Sequence, residues 1–207
     1  NSIEEALQLK KELNEKHYEV YLIQGDLTNQ NDISKIGGEI ESKYGQVDVL
    51  INNAGGIITR APFLETDPSI WMESFQLNLM SAVKLSQLFL PGMITKKYGR
   101  IINVSSMGAE TGGMFDHFHY SSMKGAMNTL TKGLGKEFGK FGITVNAVAP
   151  GLINTPLQQR TPNPFLDTLS QKTPIGRIGR PEEVASLIGY LASEKSSYIT
   201  GQVYNVM

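Results

Sequence analysis

The sequence contains no cysteine among its 207 residues. Disulfide bonds, thiolate nucleophiles and cysteine-based zinc sites are therefore excluded, and a reducing cytoplasm is the compartment that such a chain suits. No uninterrupted apolar run approaches the ~18 residues of a membrane span. The first residues are polar and helical in pattern, unlike a signal peptide. We therefore expect a cytoplasmic protein with no membrane partner.

An excess of charge of either sign is also missing. The 19 Lys and Arg residues nearly balance the 20 Asp and Glu residues, for a formal net charge of -1. Nucleic-acid binding normally needs a basic stripe or a strongly basic total, so we expect no nucleic-acid partner. The hydrophobic fraction of 40% is ordinary for a globular protein, and the length fits a single domain over residues 1–207.

Strand and helix patterns alternate along the chain. Short apolar runs predict strands at Tyr18–Gln24, Val47–Ile51, Arg100–Val104, Ile143–Val148 and Gly201–Val206. Helical patterns predict helices from Ser2 onward and at Asn31–Tyr44, Asp67–Lys97, Ser121–Lys140 and Pro181–Ser193. In the first helix Ala6, Leu9 and Leu13 should form the buried side, and the third should be broken near Pro91-Gly92. This alternation predicts an α/β fold: a doubly wound parallel sheet of Rossmann type in three layers.

Small and polar residues follow the predicted strands. Asn52-Asn53-Ala54-Gly55 follows the second strand, Ser105-Ser106 the third and Pro150-Gly151 the fourth. Ligands of open α/β sheets bind at the carboxyl ends of the strands, so these segments should meet at one site. Tyr120 and Lys124 stand four residues apart at the start of the next helix, which places both side chains on one helical face.

These motifs, in this order, resemble the short-chain dehydrogenase/reductase family, and in particular its 3-oxoacyl-carrier-protein reductase-like members. Asp26-Leu27, Asn78, Pro181–Ala185 and Ile199–Gln202 extend the resemblance over essentially the whole chain. The family's first two strands and its Gly-rich phosphate loop have no counterpart in this sequence. We therefore expect a gap in the sheet between Tyr18–Gln24 and Val47–Ile51, and weak cofactor binding because the pyrophosphate loses its helix N-terminus.

The resemblance implies hydride transfer between a nicotinamide cofactor, NAD or NADP, and a carbonyl or secondary alcohol. Tyr120 would be the acid in reduction and the base in oxidation, and the Lys124 ammonium and the positive oxidised nicotinamide should both lower the tyrosine pKa. Ser106 would hold the substrate oxygen, with Ser105 as the competing candidate for that role. Asn78 would help to hold a proton-relaying water, although it could simply bridge helix and sheet.

The resemblance also implies contacts with the cofactor and the substrate. Cofactor contacts are expected from Asp26, Leu27, Asn52, Ala54, Gly55, Tyr120, Lys124, Pro150, Gly151, Ile153 and Thr155, although Asp26 could be only a turn cap. Substrate contacts are expected from Ser106, Met107, Met114, Phe115, His117, Leu152 and Leu157, with residues 151–179 as a lid. No arginine stands out as a carboxylate clamp, and Asp116–His119 is expected to line the substrate entrance rather than to bind a metal.

Two rival interpretations remain at this point. A non-catalytic scaffold could keep the fold without the phosphate loop, but it would have no reason to retain Ser106, Tyr120 and Lys124 together. Another doubly wound enzyme, such as a methyltransferase, would have no need for tyrosine and lysine beside a serine at the sheet edge. The family resemblance further implies assembly as a homotetramer or homodimer.

Overall fold

The computed structural model describes residues 3–113, 116–156, 168–171 and 173–207. Its centre is a four-stranded sheet in which every neighbouring pair of strands is parallel. The strands lie side by side in chain order: β1 Val49–Asn52, β2 Gly99–Val104, β3 Ile143–Pro150 and β4 Val203–Val206. Because all strands run the same way, their carboxyl ends meet at one edge, as the sequence predicts.

Helices connect the strands and cover both faces of the sheet. They are α1 Ile3–Glu15, α2 Gln30–Tyr44, α3 Pro68–Phe75, α4 Ser81–Lys96, α5 Gly108–Thr111, α6 Phe118–Phe138 and α7 Pro181–Ala192. A π-helical turn, Gln76–Met80, joins α3 to α4, so the two form one long helical rod. The α/β fold with a parallel sheet is confirmed.

The core divides at the sheet because successive side chains of a strand point to opposite faces. Ile101 of β2 joins a cluster with Leu85 and Met93 of α4. Its neighbour Ile102 joins the opposite cluster, which includes Leu191 of α7. All of these side chains are buried, and each contributes roughly 1.5–3 kcal/mol of burial free energy.

Buried asparagine side chains connect β1, β2 and α6 by hydrogen bonds. Asn52 donates to the Asn103 side chain on the next strand at 2.8 Å, and Asn103 donates to the Thr131 hydroxyl of α6 at 2.9 Å. All three residues are buried. This chain of hydrogen bonds fixes α6, which carries Tyr120 and Lys124, against the sheet.

The predicted strand at Tyr18–Gln24 is wrong: the segment is extended but pairs with no strand among the described residues. An apolar run becomes a strand only where a neighbour satisfies its backbone hydrogen bonds, and residues 3–113, 116–156, 168–171 and 173–207 provide none for this segment. Tyr18 is 63% exposed as a result. Ile51 of β1 is 46% exposed, since β1 forms an edge of the sheet rather than pairing with that segment.

Two details of the predicted helices are also wrong. Helix α1 forms, but none of its residues is buried, so the expected buried side does not exist. Helix α4 continues through Pro91 without the predicted break. Pro91 has no backbone N–H to donate to the carbonyl of Gln87, four residues earlier in the helix. Both residues are exposed, so water can donate to that carbonyl instead.

Pro68–Lys96 forms 29 helical residues that are long and apolar enough, by length and composition only, to cross a membrane. Within it, α4 buries Leu85, Leu90 and Met93 in the core cluster against β1 and β2. Apolar side chains of this helical rod therefore pack in the protein core.

Candidate active site

A cavity of about 430 Å³ opens at the carboxyl edge of the sheet. It is bounded by the loops after β1, β2 and β3, by the start of α6 and by one side of α7. Its lining consists of Asn53, Gly55, Ile57, Arg60, Val104, Ser105, Ser106, His117, Tyr120, Lys124, Pro150, Gly151, Ile153, Thr155, Pro181, Val184, Ala185 and Ile188.

Lys124 is the buried cation of this cavity, with 2% of its surface exposed. Its ammonium donates to the Val104 carbonyl at the end of β2, at 2.7 Å. Burial lowers the pKa of Lys124 from the usual 10.5 to about 8, because an ammonium is poorly solvated there. An ammonium has three donors, and among the described residues one is used, so donors remain for a ligand in the cavity.

Tyr120 shares the cavity and lies one turn before Lys124 on α6. The Lys124 Nζ lies 5.6 Å from the centre of the Tyr120 ring. Burial raises the pKa of the Tyr120 phenol, and a hydrogen bond with Ser106 opposes that change without reversing it. The expectation that Lys124 makes this pKa low is therefore wrong for the chain by itself: desolvation of tyrosinate is the larger effect.

The two neighbouring serines have different surroundings. Ser105 Oγ donates to the Asn128 side chain at 2.6 Å and lies 3.2 Å from the Lys124 carbonyl, so it ties β2 to α6. Ser106 instead lies in the cavity beside Tyr120, where its hydroxyl acts to lower the phenol pKa, and it accepts from the Gly108 amide at 3.1 Å. The geometry places Ser106, rather than Ser105, beside the phenol.

Asn78 holds the loop that follows β1. Its Oδ1 accepts from the Gly56 amide at 2.8 Å and its Nδ2 donates to the Gly56 carbonyl at 3.0 Å. A Cβ added to Gly55 would lie 2.8 Å from the Asn78 oxygen and 3.0 Å from Lys124 Nζ. A glycine is therefore required where this loop passes the buried lysine. Asn78 lies in the π-helical turn, a local widening that often marks functional sites.

Arg60 and His117 line the cavity, and both contact Asp116, which lies outside the lining. Arg60 Nη1 lies 3.1 and 3.2 Å from the two Asp116 oxygens, and His117 Nδ1 lies 2.6 Å from Oδ1. Partial burial alone would raise the pKa of Asp116, but hydrogen bonds from His117 and Arg60 outweigh it and hold the pKa below its usual range. The sequence marks no arginine as a carboxylate clamp, and the fold places Arg60 in the lining of the cavity, with Nη1 3.5 Å from His117 Nδ1.

The structure collects many of the predicted site residues and separates others. Gly55, Ser106, His117, Tyr120, Lys124, Pro150, Gly151, Ile153 and Thr155 line the cavity. Asp26 does not: its carboxylate caps an exposed turn through the Thr28 amide and hydroxyl, which keeps its pKa low. Leu27 packs on the core instead.

The remaining predicted residues have other positions. Asn52 faces Asn103 within the sheet, and Ala54 and Met107 are half-buried outside the lining. Leu152 lines a separate cavity of about 80 Å³. Met114, Phe115 and Leu157 lie outside the described residues. The ends of the predicted lid are joined, since Ile153 and Gly179 form a β-bridge at its base.

The cavity fits the nicotinamide end of a cofactor. One wall is small and apolar, with Gly151, Ile153 and Val184, and suits a flat ring. The opposite wall offers the buried Lys124 ammonium with unused donors, beside a glycine that leaves space for close approach.

A sequence profile described as enoyl-(acyl carrier protein) reductase matches residues 2–206, nearly the whole chain. The chain belongs to the short-chain dehydrogenase/reductase family. Members of this family are nicotinamide-dependent oxidoreductases of alcohol and carbonyl groups, and this chain is one of them. The predicted family and activity class are thereby confirmed.

Named relatives show the same membership. The chain is 39% identical over 188 residues to 2,3-dihydroxy-2,3-dihydro-p-cumate dehydrogenase of Pseudomonas putida, covering 87% of this chain and 70% of that one. It is 38% identical over 182 residues to a 3-oxoacyl-(acyl-carrier-protein) reductase of Thermotoga maritima, covering 87% and 73%. The crystal structure of YwfH, an NADPH-dependent reductase involved in bacilysin biosynthesis, superposes with a TM-score of 0.92 at 27% identity, over 100% of this chain and 84% of that one.

Sequence reasoning missed parts of this short-chain dehydrogenase/reductase site. The sequence marks Pro181–Ala185 as the start of a helix and as part of the family resemblance, but it does not show that Pro181, Val184 and Ile188 of α7 line the cavity. Arg60 lies in an irregular stretch after β1, with no periodicity to mark it. The Asp116–His117 pair was visible, but its arginine partner is more than 50 residues away in the chain and could not be inferred from spacing.

Proposed function

We propose that this chain interconverts a carbonyl and a secondary alcohol with Tyr120 as the acid and base, Ser106 as the holder of the substrate oxygen and Lys124 as the residue that binds the nicotinamide ribose. The observation that carries the proposal is the convergence of these three side chains in one cavity, where a buried Lys124 lies 5.6 Å from the centre of the Tyr120 ring and Ser106 lines the same space.

The proton step follows from the surroundings of Tyr120. When bound, the nicotinamide supplies or accepts the hydride, and its oxidised form carries a positive charge. In reduction the substrate carbon gains that hydride, and the carbonyl oxygen takes the proton of Tyr120. Because burial raises the pKa of Tyr120, the phenol is protonated at neutral pH and ready to act as the acid.

Ser106 and Lys124 support that step in different ways. Ser106 lies within hydrogen-bonding reach of the phenol, so a substrate oxygen between them is held by two hydroxyl groups. Lys124 has a pKa of about 8 and is predominantly an ammonium at neutral pH. Its charge stabilises the tyrosinate that is left once the proton has moved to the substrate oxygen, which assists the release of that proton.

Other residues are proposed to hold the cofactor. Gly55, Pro150, Gly151, Ile153 and Thr155 line the same cavity and would surround the nicotinamide and its ribose. Asn78 would hold the loop after β1 in place beside Lys124 and could bind the relaying water. Either NAD or NADP is compatible with these contacts.

Replacing Tyr120 with phenylalanine tests the proposal. We expect Tyr120→Phe to lower kcat for carbonyl reduction by about 10²–10⁴-fold, because the proton donor is lost while the ring remains. Turnover is followed by nicotinamide absorbance across a panel of ketones and secondary alcohols, and circular dichroism checks the fold. Tyr98→Phe, a change at a tyrosine outside the cavity, is the matched control. Full activity in Tyr120→Phe would exclude the proposed role.

The substrate class and assembly are also proposals. The two relatives are named for a cyclic dihydrodiol and for 3-oxoacyl groups, and we propose a small carbonyl or alcohol substrate of comparable size. We further propose a cytoplasmic homotetramer or homodimer. The exposed apolar side chains Phe63, Leu64 and Met72 near α3 would suit burial between subunits.

A further inference from the structure

We propose that Arg60 determines substrate specificity, and that the preferred substrate carries a carboxylate a few bonds from its reacting carbonyl or alcohol carbon. This inference rests on the proposed function, because it assigns a substrate group to the same cavity.

The position of Arg60 is the first argument. It lines the cavity together with Ser106, Tyr120 and His117. Contacts lead from Arg60 to Asp116, from Asp116 to His117, and from His117 to the Tyr120 ring, whose centre lies 5.9 Å from that of the imidazole. A group bound at Arg60 would therefore belong to a molecule whose reacting oxygen is close to the phenol.

The unused donors of Arg60 are the second argument. Asp116 occupies Nη1, whereas Nη2 is buried and has no hydrogen-bond partner in the part of the chain that the structure describes. Buried donors in native proteins are nearly always paired, and leaving one unpaired is costly. Nη2 is closed to solvent in this arrangement, so a ligand oxygen pairs with it when the guanidinium turns from Asp116 toward the cavity. A planar carboxylate matches the guanidinium geometry.

The charge of the cavity is the third argument. The described lining residues include two basic side chains, Arg60 and Lys124, and no Asp or Glu. Lys124 lies beside Gly55 and is assigned to the cofactor ribose, so Arg60 is the cation left for the substrate. Asp116 stands outside the lining and offsets part of the charge. A neutral apolar substrate would leave Arg60 with Asp116 as its ion-pair partner but would give Nη2 no acceptor.

The experiment compares a 3-oxo carboxylic acid with its methyl ester in the same wild-type and variant proteins. We expect Arg60→Met to lower kcat/KM for the acid by about 10- to 100-fold and to change that for the ester by less than about threefold. Arg60→Lys should recover only part of the loss, since it keeps the charge but not the paired donors. Arg177→Met, at an exposed arginine paired with Glu183 outside the cavity, is the control.

Asp116→Asn provides a second variant with the opposite expected sign. The amide keeps an oxygen acceptor but removes the charge that competes for Arg60, so affinity for the acid should rise severalfold. Circular dichroism establishes that each variant is folded. An equal loss on acid and ester in Arg60→Met, or no preference of the wild type for the acid, would refute the inference.

Calorimetric titration with the acid and the ester separates this inference from the proposed function. If the wild type turns over both compounds without preferring the acid, the reaction assignment stands and the role of Arg60 is wrong. If the acid binds through Arg60 without turnover, the reaction assignment is wrong and the binding role stands. If neither binding nor turnover is observed, both are wrong.

Discussion

Removing the buried charge of Lys124 should stabilise the fold at neutral pH. Burial lowers the pKa of Lys124 from 10.5 to about 8. At about 1.4 kcal/mol for each pH unit, this corresponds to a penalty of about 3 kcal/mol for keeping the ammonium in the folded state. Lys124→Met keeps an unbranched side chain of similar length and removes that penalty.

The gain is smaller than the penalty, because the hydrogen bond to the Val104 carbonyl is lost as well. That bond is worth about 1–2 kcal/mol, so the free energy of unfolding of Lys124→Met should exceed that of wild type by about 1–2 kcal/mol at pH 7. For a chain of this size the Tm should rise by about 2–8 °C. Activity should be lost at the same time.

The pH dependence gives the sharper test. Below pH 8 the lysine is charged in both the folded and the unfolded states, so the full penalty is present. Between pH 8 and 10.5 the unfolded state binds more protons than the folded state, so wild-type stability rises with pH through this range. The advantage of Lys124→Met should therefore be largest below pH 8, vanish at about pH 9 and reverse toward pH 10.5, where wild type has lost the penalty but keeps the hydrogen bond to Val104.

Urea denaturation followed by far-UV circular dichroism at several pH values from 7 to 10 measures this difference. Lys132→Met, a change at an exposed lysine of the same helix, corrects for general effects of pH and of lost charge. A difference between Lys124→Met and wild type that does not vary with pH would refute the reasoning. Destabilisation of the variant at pH 7 would refute the estimated magnitude.

Two further substitutions test the packing around the site. Gly55→Ala should lower kcat/KM by about tenfold or more and also lower the free energy of unfolding by about 1–3 kcal/mol, because its Cβ would displace Lys124 Nζ and the buried Asn78 oxygen. Gly56→Ala has open space around its Cβ and serves as the control. Asn103→Leu should lower the free energy of unfolding by about 1–3 kcal/mol, since Asn52 Nδ2 would be left buried without its acceptor. Urea titration measures this change, and an unchanged urea midpoint would contradict the role of Asn103 in joining the two strands.

The sequence determined the class of fold and the family through local features. Alternating apolar runs and helical patterns predicted β2, β3 and their neighbours to within a few residues, since buried parallel strands are continuous apolar runs. The order of the motifs around Ser106, Tyr120 and Lys124 indicated the reaction class. These features depend on residue type and short spacing, which a sequence displays directly.

Features that depend on distant partners were decided by the tertiary structure. Tyr18–Gln24 has strand-like residues but no neighbouring strand, so pattern alone predicted it wrongly. The direction of the Tyr120 pKa depends on how deeply the phenol is buried, and the place of Arg60 depends on a loop that reaches Asp116 across the fold. Hydrogen-bond partners, desolvation and charge balance arise only when remote segments meet, and these are the properties that set the chemistry of this site.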